Sequence, residues 1–311
     1  MSYIPPYKIT TKIVSLVSKI SEAVGSFYVQ EDLRLHRINR IKTIQGSLAI
    51  EGNTLSTDQI TAILEGKPVI APINEVQEVR NAIKAYQMLD ELNPNSIDDL
   101  LKAHLIMETG LIDDAGSFRK KGVGVASGEE IIHYAPFAER VPHLIEELFG
   151  WLNATEEHPL IKSCVFHYEF EFIHPFSDGN GRTGRLWQTL ILSKWRFLFK
   201  NLPIENIVYK YRKEYYHAIA VSGKESGCTP FIEFILGVID ETLSIEKDIP
   251  QTTREKILLQ IRANPKITRN ELATVLGLTS DGIKYHLQKM TQEGVIIRKG
   301  STRSGYWDIT D

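Results

Sequence analysis

Cysteine is scarce: the chain of 311 residues holds only Cys164 and Cys228. They lie far apart and outside any Cys-x-x-Cys pair, which argues against a disulfide scaffold or a cysteine zinc site and leaves two buried, reduced thiols as the expectation. Long apolar runs are missing too. The most apolar stretches, such as Leu190 to Leu192 and Phe231 to Ile235, fall far short of the roughly 20 residues that a helix needs to cross a bilayer. Residues Met1 to Pro6 carry no basic head followed by an apolar run and a small-residue cleavage site, so no secretory signal is expected. The expected location is the cytoplasm, without membrane contact. Internal repeats and low-complexity tracts are also absent. With 42 % hydrophobic and 24 % charged residues, the composition is that of folded globular domains rather than long disorder, collagen or a coiled-coil array. At about 150 residues per domain, two or three domains fit the length.

Charge of one sign is lacking overall, with a net of −3, but it is unevenly spread. From Arg254 to the end there are ten Lys or Arg against six Asp or Glu, a net of +4, which leaves −7 on the preceding part. Such a step suggests a basic accessory module on an acidic body.

What is present is mostly helical periodicity. Ile13, Val14, Val17, Ile20 and Val24 mark a helix over Lys12 to about Val24, and a second, Leu33 to Glu51, stops at Gly52 and Asn53. Further helices are predicted over Thr57 to Leu64, Asn74 to Leu92 and Ile97 to Met107, with Gly-Lys-Pro and Asn-Pro-Asn as breakers. Short apolar runs at Val123, Val125 and Ile131 to Tyr134 flank Ser127 to Glu130, a hairpin signal. Helices then resume at Val141 to Leu152, Leu160 to about Ile173, Thr183 to Phe197, Lys210 to Val221 and Pro230 to Ile245, before a linker at Asp248 to Gln251.

The tail reads as a separate unit. Arg254 to Ala263 suits a helix, and Thr268 to Glu271 forms a capping box opening the next one. Leu272, Val275 and Leu276 supply its apolar face, Gly277 its turn, and Ser280 opens a third helix to about Glu293. Two strands, Val295 to Arg298 and Tyr306 to Ile309, surround a basic loop. Three helices and a hairpin resemble a winged helix-turn-helix domain, so contact with DNA or with a protein is expected there.

The most informative stretch is His174 to Arg185, between two helical patterns. Gly179, Asn180, Gly181 and Gly184 permit positive φ and bare backbone amides, so the loop can wrap an anion. Those amides lead into a helix whose N-terminus adds partial positive charge, and phosphate is the expected guest. Arg182 and Arg185 offer two planar forks for phosphate oxygens. Asp178 in such a loop makes sense when a divalent cation lies between carboxylate and phosphate, which implies Mg²⁺. His174, with an unperturbed pKa near 6.5, suits a general base towards an attacking hydroxyl. Together these parts fit transfer of a phosphate-containing group.

The same stretch resembles the signature of the Fic family, His-x-Phe-x-Asp/Glu-Gly-Asn-Gly-Arg-x-x-Arg, at every defined position. Phe166 to Ile173 is similar to the helix before that motif, and the likeness covers roughly Ile97 to Ile245. The resemblance implies a protein adenylyltransferase that moves AMP from ATP to a Ser, Thr or Tyr hydroxyl of a target protein, the chain itself being one candidate target, and releases pyrophosphate. It implies that His174 deprotonates the hydroxyl, Phe176 anchors the loop, and Asp178 holds Mg²⁺. Gly179, Asn180 and Gly181 would cradle phosphate oxygens, Arg182 would stabilise leaving charge and Arg185 would reach the γ-phosphate, with Thr183 and Gly184 in the same nucleotide-binding run.

Ser47-Leu48-Ala49-Ile50-Glu51-Gly52-Asn53 resembles the inhibitory motif of Fic proteins that carry their own inhibitory helix. Ser47 and Glu51 lie four apart on one helix face, and the resemblance implies that Glu51 pairs with Arg185 in place of the γ-phosphate. The hairpin resembles the family's flap, which holds a target segment by edge-strand pairing, although Ala135 stands where many members have proline. Tyr211, Tyr215 and Tyr216 are expected near an adenine pocket, while His167 and the Phe166, Tyr168, Phe170, Phe172 cluster read as core. The fold expected is mainly α, a Fic-type helical core with a small hairpin flap plus a C-terminal winged helix, divided as a helical region 1–96, a catalytic domain 97–247 and a winged helix 251–311. Two other functions fit the same residues: a DNA-binding regulator whose pocket senses nucleotide, and net removal of AMP from a modified target.

Overall fold

The computed structural model describes residues 3–26, 33–127, 130–225, 227–248, 253–300 and 305–310. The chain opens with α1 (Thr11–Ser26), α2 (Leu33–Ile50), α3 (Thr57–Leu64), α4 (Ile73–Gln87) and α5 (Ile97–Glu108). A hairpin of β1 (Gly124–Ser127) and β2 (Glu130–Tyr134) follows, paired antiparallel from Gly124 opposite Tyr134 to Ser127 opposite Glu130. Then come α6 (Val141–Ala154), α7 (Pro159–Ile173), α8 (Asn180–Trp195), α9 (Ile204–Lys210), α10 (Arg212–Lys224) and α11 (Thr229–Asp248). Among the described residues no helix is long and apolar enough to cross a membrane.

Local chemistry explains the boundaries. Ser56 and Gln59 close a reciprocal capping box at the start of α3, and Pro159 occupies the first turn of α7, where its missing amide costs nothing. The helix α7 is buried on nearly every side, its His167, Glu169 and Glu171 included, which marks a central helix. Cys164, Phe166 and Phe170 of α7 and Leu186, Trp187 and Leu190 of α8 are all fully buried, each contributing on the order of 1.5–3 kcal/mol by leaving water. One continuous apolar core runs from Ile13 to Leu243, so the helices before residue 97 pack together with the segment after it. An extended N-terminal arm is pinned to this body. Cys228 N–H donates to Pro6 O (2.9 Å), Lys8 N–H to Thr229 Oγ1 (2.8 Å) and Tyr3 Oη to Glu169 Oε2 (2.6 Å).

Several boundaries differ from those expected. The helix predicted to reach Leu92 ends at Gln87 and passes into a 3₁₀ turn, Met88–Asp90. A 3₁₀ segment, Phe197–Asn201, and the short helix α9 were not foreseen, because neither is long enough to display a helical period. The helix expected to start at Thr183 starts at Asn180. Asp248 of the expected linker is the last residue of α11, while Gly128 and Glu129 of the hairpin turn and residues 249–251 of the linker lie outside the described residues.

From Ile245 onwards the chain forms a second unit. It contains α12 (Thr253–Ala263), α13 (Arg269–Leu276), α14 (Ser280–Gln292), β3 (Ile296–Lys299) and β4 (Tyr306–Ile309), the last two antiparallel. The capping box of Thr268 and Glu271 is formed, and Gly277, at φ 65°, closes α13. Ile257, Ile261, Leu272, Ile283, Leu287 and Ile296 make a core of their own. Three helices and a wing are the winged-helix arrangement expected from the sequence.

Candidate functional site

The segment that joins α7 to α8 is held from below. At the C-terminal cap of α7, His174 adopts φ 49° and ψ 63°, and is the only non-glycine residue with positive φ among the described residues. That conformation costs on the order of 1–2 kcal/mol for a residue with a Cβ, so its surroundings must impose it. Two residues on, Phe176 is fully buried and stacks on His104 of α5, with ring centroids 3.5 Å apart and planes 5° from parallel. The His104 ring accepts from Gly116 N–H at Nδ1 (2.9 Å) and donates from Nε2 to Asp178 O (3.0 Å). Burial pulls its pKa down to about 4, in keeping with a neutral ring that can play both parts.

Asn180 is expected to offer its amide to phosphate, and its side chain braces the loop. Asn180 Nδ2 donates to Phe176 O (2.9 Å) and its Oδ1 accepts from Phe176 N–H (2.9 Å). Gly179, the N-cap of α8, sits at φ 76°, and a Cβ there would fall 2.1 Å from Glu108 Oε1. Only glycine fits. The first turn of α8 therefore begins inside the glycine run, and its amides at Asn180, Gly181 and Arg182 have no intrahelical partner to bond.

Both arginines are engaged. Arg182 Nη2 lies 3.1 Å from Glu108 Oε2 and 3.6 Å from Asp178 Oδ1, and Arg182 Nη1 lies 3.5 Å from Glu78 Oε1. Burial pushes the Glu108 pKa up to about 8 against the pull of Arg182. Arg185 Nη2 donates to Glu51 Oε1 (2.8 Å) and to Ser47 O (2.9 Å), while its Nε donates to Ser47 Oγ (3.2 Å). Burial lowers the basicity of Arg185, but Glu51, joined by Tyr215, Tyr216 and Glu171, more than offsets this and holds it above its ordinary value. Gly181 makes room for the pair, since a Cβ there would stand 2.3 Å from Glu51 Oε1 and 2.9 Å from Arg185 Nη1.

Around His174, Glu171 Oε2 lies 3.8 Å from Nδ1. Burial raises the Glu171 pKa to about 8, with Arg185 pulling it down and Glu51 pushing it up. His167, read as a core residue, is one: Nδ1 bonds Gln188 Oε1 (2.7 Å), Nε2 bonds Tyr215 Oη (3.1 Å), and burial drops its pKa to about 3. That places Tyr215 in the core rather than at an adenine pocket. Tyr216 Oη reaches Ile50 O at 3.5 Å and Tyr211 Oη reaches Glu241 Oε1 at 3.1 Å. Thr183 is fully buried, and Gly184 packs on α7, where a Cβ would meet Glu171 Oε1 at 3.1 Å and His167 Cδ2 at 3.2 Å. Neither faces the open side of the loop.

The structure thus brings Ser47, Glu51, His174, Phe176, Asp178 and the 179–185 turn into one place. Four residues of that place escaped the sequence reading: Glu78, His104, Glu108 and Arg119. For two of them a signal existed, because His104 and Glu108 stand four apart on one face of α5. Arg119 lies outside the regular elements and its partners are 2 to 55 residues away, so no periodicity could mark it.

Comparison with known proteins bears on the same residues. A family model described as Fic/DOC family matches residues 92–192, and one described as winged helix-turn-helix DNA-binding matches residues 251–297. The chain is 32 % identical over 217 residues to "Protein adenylyltransferase Fic" of Culex quinquefasciatus, covering 66 % of this chain and 41 % of the relative. It is 28 % identical over 247 residues to the Drosophila melanogaster protein of the same name, covering 75 % and 48 %. The chain therefore spans less than half the length of these curated relatives. Among solved structures, a Fic family protein from Desulfovibrio desulfuricans G20 is 41 % identical with a TM-score of 0.76, covering 99 % of this chain and 98 % of that one. Residues 134–508 of Fic-1 from C. elegans align at 26 % identity and a TM-score of 0.61, covering 75 % and 70 %.

Proposed function

Because the chain belongs to the Fic family, we propose that it is a protein adenylyltransferase that moves AMP from ATP to a hydroxyl side chain of a target protein, and that Glu51 restrains it. The observation that carries the reading is the 2.8 Å pair between Glu51 and Arg185 beside the bare first turn of α8. A buried guanidinium with a bidentate preference is a phosphate ligand in waiting, and here a carboxylate of the same chain takes that role.

In the reaction proposed, the target oxygen bonds to the α-phosphorus, the bond from that phosphorus to the bridging oxygen of pyrophosphate breaks, and the hydroxyl proton passes to His174. Nδ1 of His174 faces Glu171, so Nε2 is the nitrogen assigned to that proton. The unpartnered amides of the first turn of α8 and the guanidinium of Arg182 stabilise the charge that builds on the phosphate oxygens and the leaving group. Arg185 holds the γ-phosphate once Glu51 withdraws. Asp178 suits Mg²⁺: its side chain is 66 % exposed, it offers hard oxygens, and a single carboxylate with phosphate oxygens is the usual Mg²⁺ donor set. Bound there, the ion would neutralise phosphate charge. The β1–β2 hairpin, anchored by Ala135 N–H to Val123 O (3.3 Å), offers strand edges to a target segment.

Incubating the Glu51→Gly variant with radiolabelled ATP and Mg²⁺ tests the reading. Label is expected on protein, and a further His174→Ala substitution is expected to abolish it; a Glu51→Gly chain that binds nucleotide without transferring label overturns it.

The second unit supports an added role in binding DNA. Lys284 and Tyr285 lie exposed on α14, the helix that enters the major groove in winged-helix proteins. The reduced, buried Cys164 and Cys228 support a cytoplasmic setting.

A further inference from the structure

We infer that Arg119 is a positioning residue that ties both feet of the β1–β2 hairpin to the backbone of His174, so that target presentation and base geometry are set by one side chain. The inference rests on the proposed function for its meaning, and on four hydrogen bonds for its substance. Arg119 is 3 % exposed. Its Nε donates to His174 O (2.7 Å), Nη1 to Lys121 O (2.9 Å), and Nη2 to Pro136 O (2.6 Å) and Ile173 O (3.3 Å). Its own N–H donates to Pro175 O (2.9 Å). Among the described residues no carboxylate lies within ion-pairing distance of it.

The choice of partners is what gives this arginine its task. A buried guanidinium is costly unless its donors are satisfied, and here every side-chain bond among the described residues ends on a backbone carbonyl. Two of those carbonyls, Ile173 and His174, are the last of α7, where the helix dipole concentrates negative charge. The other two, Lys121 and Pro136, stand just before β1 and just after β2. One planar group with a fixed fork therefore joins three stretches of chain that lie 2, 17 and 54 to 55 residues from it. Lysine, a single point of donation on a flexible stem, cannot bridge them in the same way.

The consequence falls on His174. Its positive φ is an uphill conformation, and the bonds from Arg119 to the carbonyls on either side of its φ and ψ rotations are what the structure offers to hold it. Without them the residue relaxes towards ordinary helical angles, and the ring swings away from the loop. A displacement of about 1 Å at a reacting group can cost on the order of 100-fold in rate. Nucleotide binding depends on other groups, Arg185, Arg182 and the amides of α8, none of which Arg119 touches.

The test compares Arg119→Lys and Arg119→Gln in the full chain carrying Glu51→Gly. Affinity for a non-hydrolysable ATP analogue with Mg²⁺ and the KM for ATP are expected to stay within about twofold of the Glu51→Gly chain, since a change that small is under 0.5 kcal/mol. The kcat for AMP transfer onto the chain itself is expected to fall on the order of 100-fold in Arg119→Gln and less in Arg119→Lys. Modification of His174 by diethyl pyrocarbonate, followed by peptide mass, is expected to speed up in both. The inference is overturned if either variant, folded and binding the analogue normally, transfers AMP at the parent rate. It is likewise overturned if the modification rate of His174 stays unchanged. Should the Glu51→Gly parent transfer no label, the enzymatic reading fails on its own, and the modification rate of His174 still decides the role of Arg119.

Discussion

Among single residues, the resting state turns on how many bonds hold Arg185. Glu51 supplies one charge-assisted bond, Ser47 supplies two more through Oγ and its carbonyl, and only the bond to Oγ depends on the serine side chain. Ser47→Ala is therefore expected to raise basal AMP transfer by a few-fold, about what one lost hydrogen bond allows, and less than Glu51→Gly does. Equal activation by the two substitutions, measured as initial rates at fixed ATP, would contradict this ranking. A different residue contributes to the pH response of the body, beside Glu108 and Glu171. Burial lifts Glu169 from its ordinary 4.5 to about 7, opposed by the bond from Tyr3. A raised carboxyl favours the folded state fully below about pH 4.5, and that advantage is lost as pH climbs through about 7, a change of about 3 kcal/mol. Thermal midpoints of Glu169→Gln, which keeps an acceptor for Tyr3, should accordingly fall less between pH 5 and 8 than those of the unmodified chain.

At the level of elements, the segment proposed to inhibit owes its seat to a glycine. Where α2 meets α9, a Cβ on Gly46 would stand 2.5 Å from Asn206 N and 2.6 Å from Glu205 C and O, all backbone atoms that cannot step aside. Gly46→Ala should push α2 off α9, destabilise the body by about 1–3 kcal/mol, and loosen Glu51 at its end. A variant with a lowered thermal midpoint and raised basal transfer is the expected outcome; a lowered midpoint with tighter inhibition would count against it. In the second unit, Thr268→Ala removes one half of a formed capping box and is expected to cost about 1 kcal/mol, read by denaturant unfolding.

These contacts also mark how far the sequence could be read. Amphipathic spacing located α1, α2, α6 and α11 to within a few residues, because their buried positions recur at helical intervals. The motif at His174 to Arg185 and the pair Ser47 and Glu51 were legible as chemistry. Their exact use was not: glycine-rich composition argued for a loop through Arg182, yet the orphan amides are those of a helix already begun at Asn180. Asn180 bonds a neighbour four residues away, while Glu108 and Arg119 act across gaps of 55 to 74 residues that no local pattern encodes.

For the molecule as a whole, charge is partitioned with architecture. Residues 254–311, which hold the second unit's own core, carry a net +4, and residues 1–253 carry the net −7. If the basic unit meets DNA, binding of the full chain to a duplex should weaken steeply with salt through counterion release. Lys284→Glu is expected to reduce that binding about tenfold or more at low salt, without changing AMP transfer by the Glu51→Gly chain. Fluorescence anisotropy across a salt series would show both, and salt-independent binding would exclude the contact.

If Glu51 restrains the enzyme as proposed, carrying it on one polypeptide with Arg185 also fixes how restraint scales with abundance. A tethered blocker keeps a constant local concentration, commonly in the millimolar range for short connections, so diluting or overproducing the protein leaves the blocked fraction untouched. Release would then come from a competitor for the guanidinium or from a partner that lifts the tether, and making more of the protein would not switch it on.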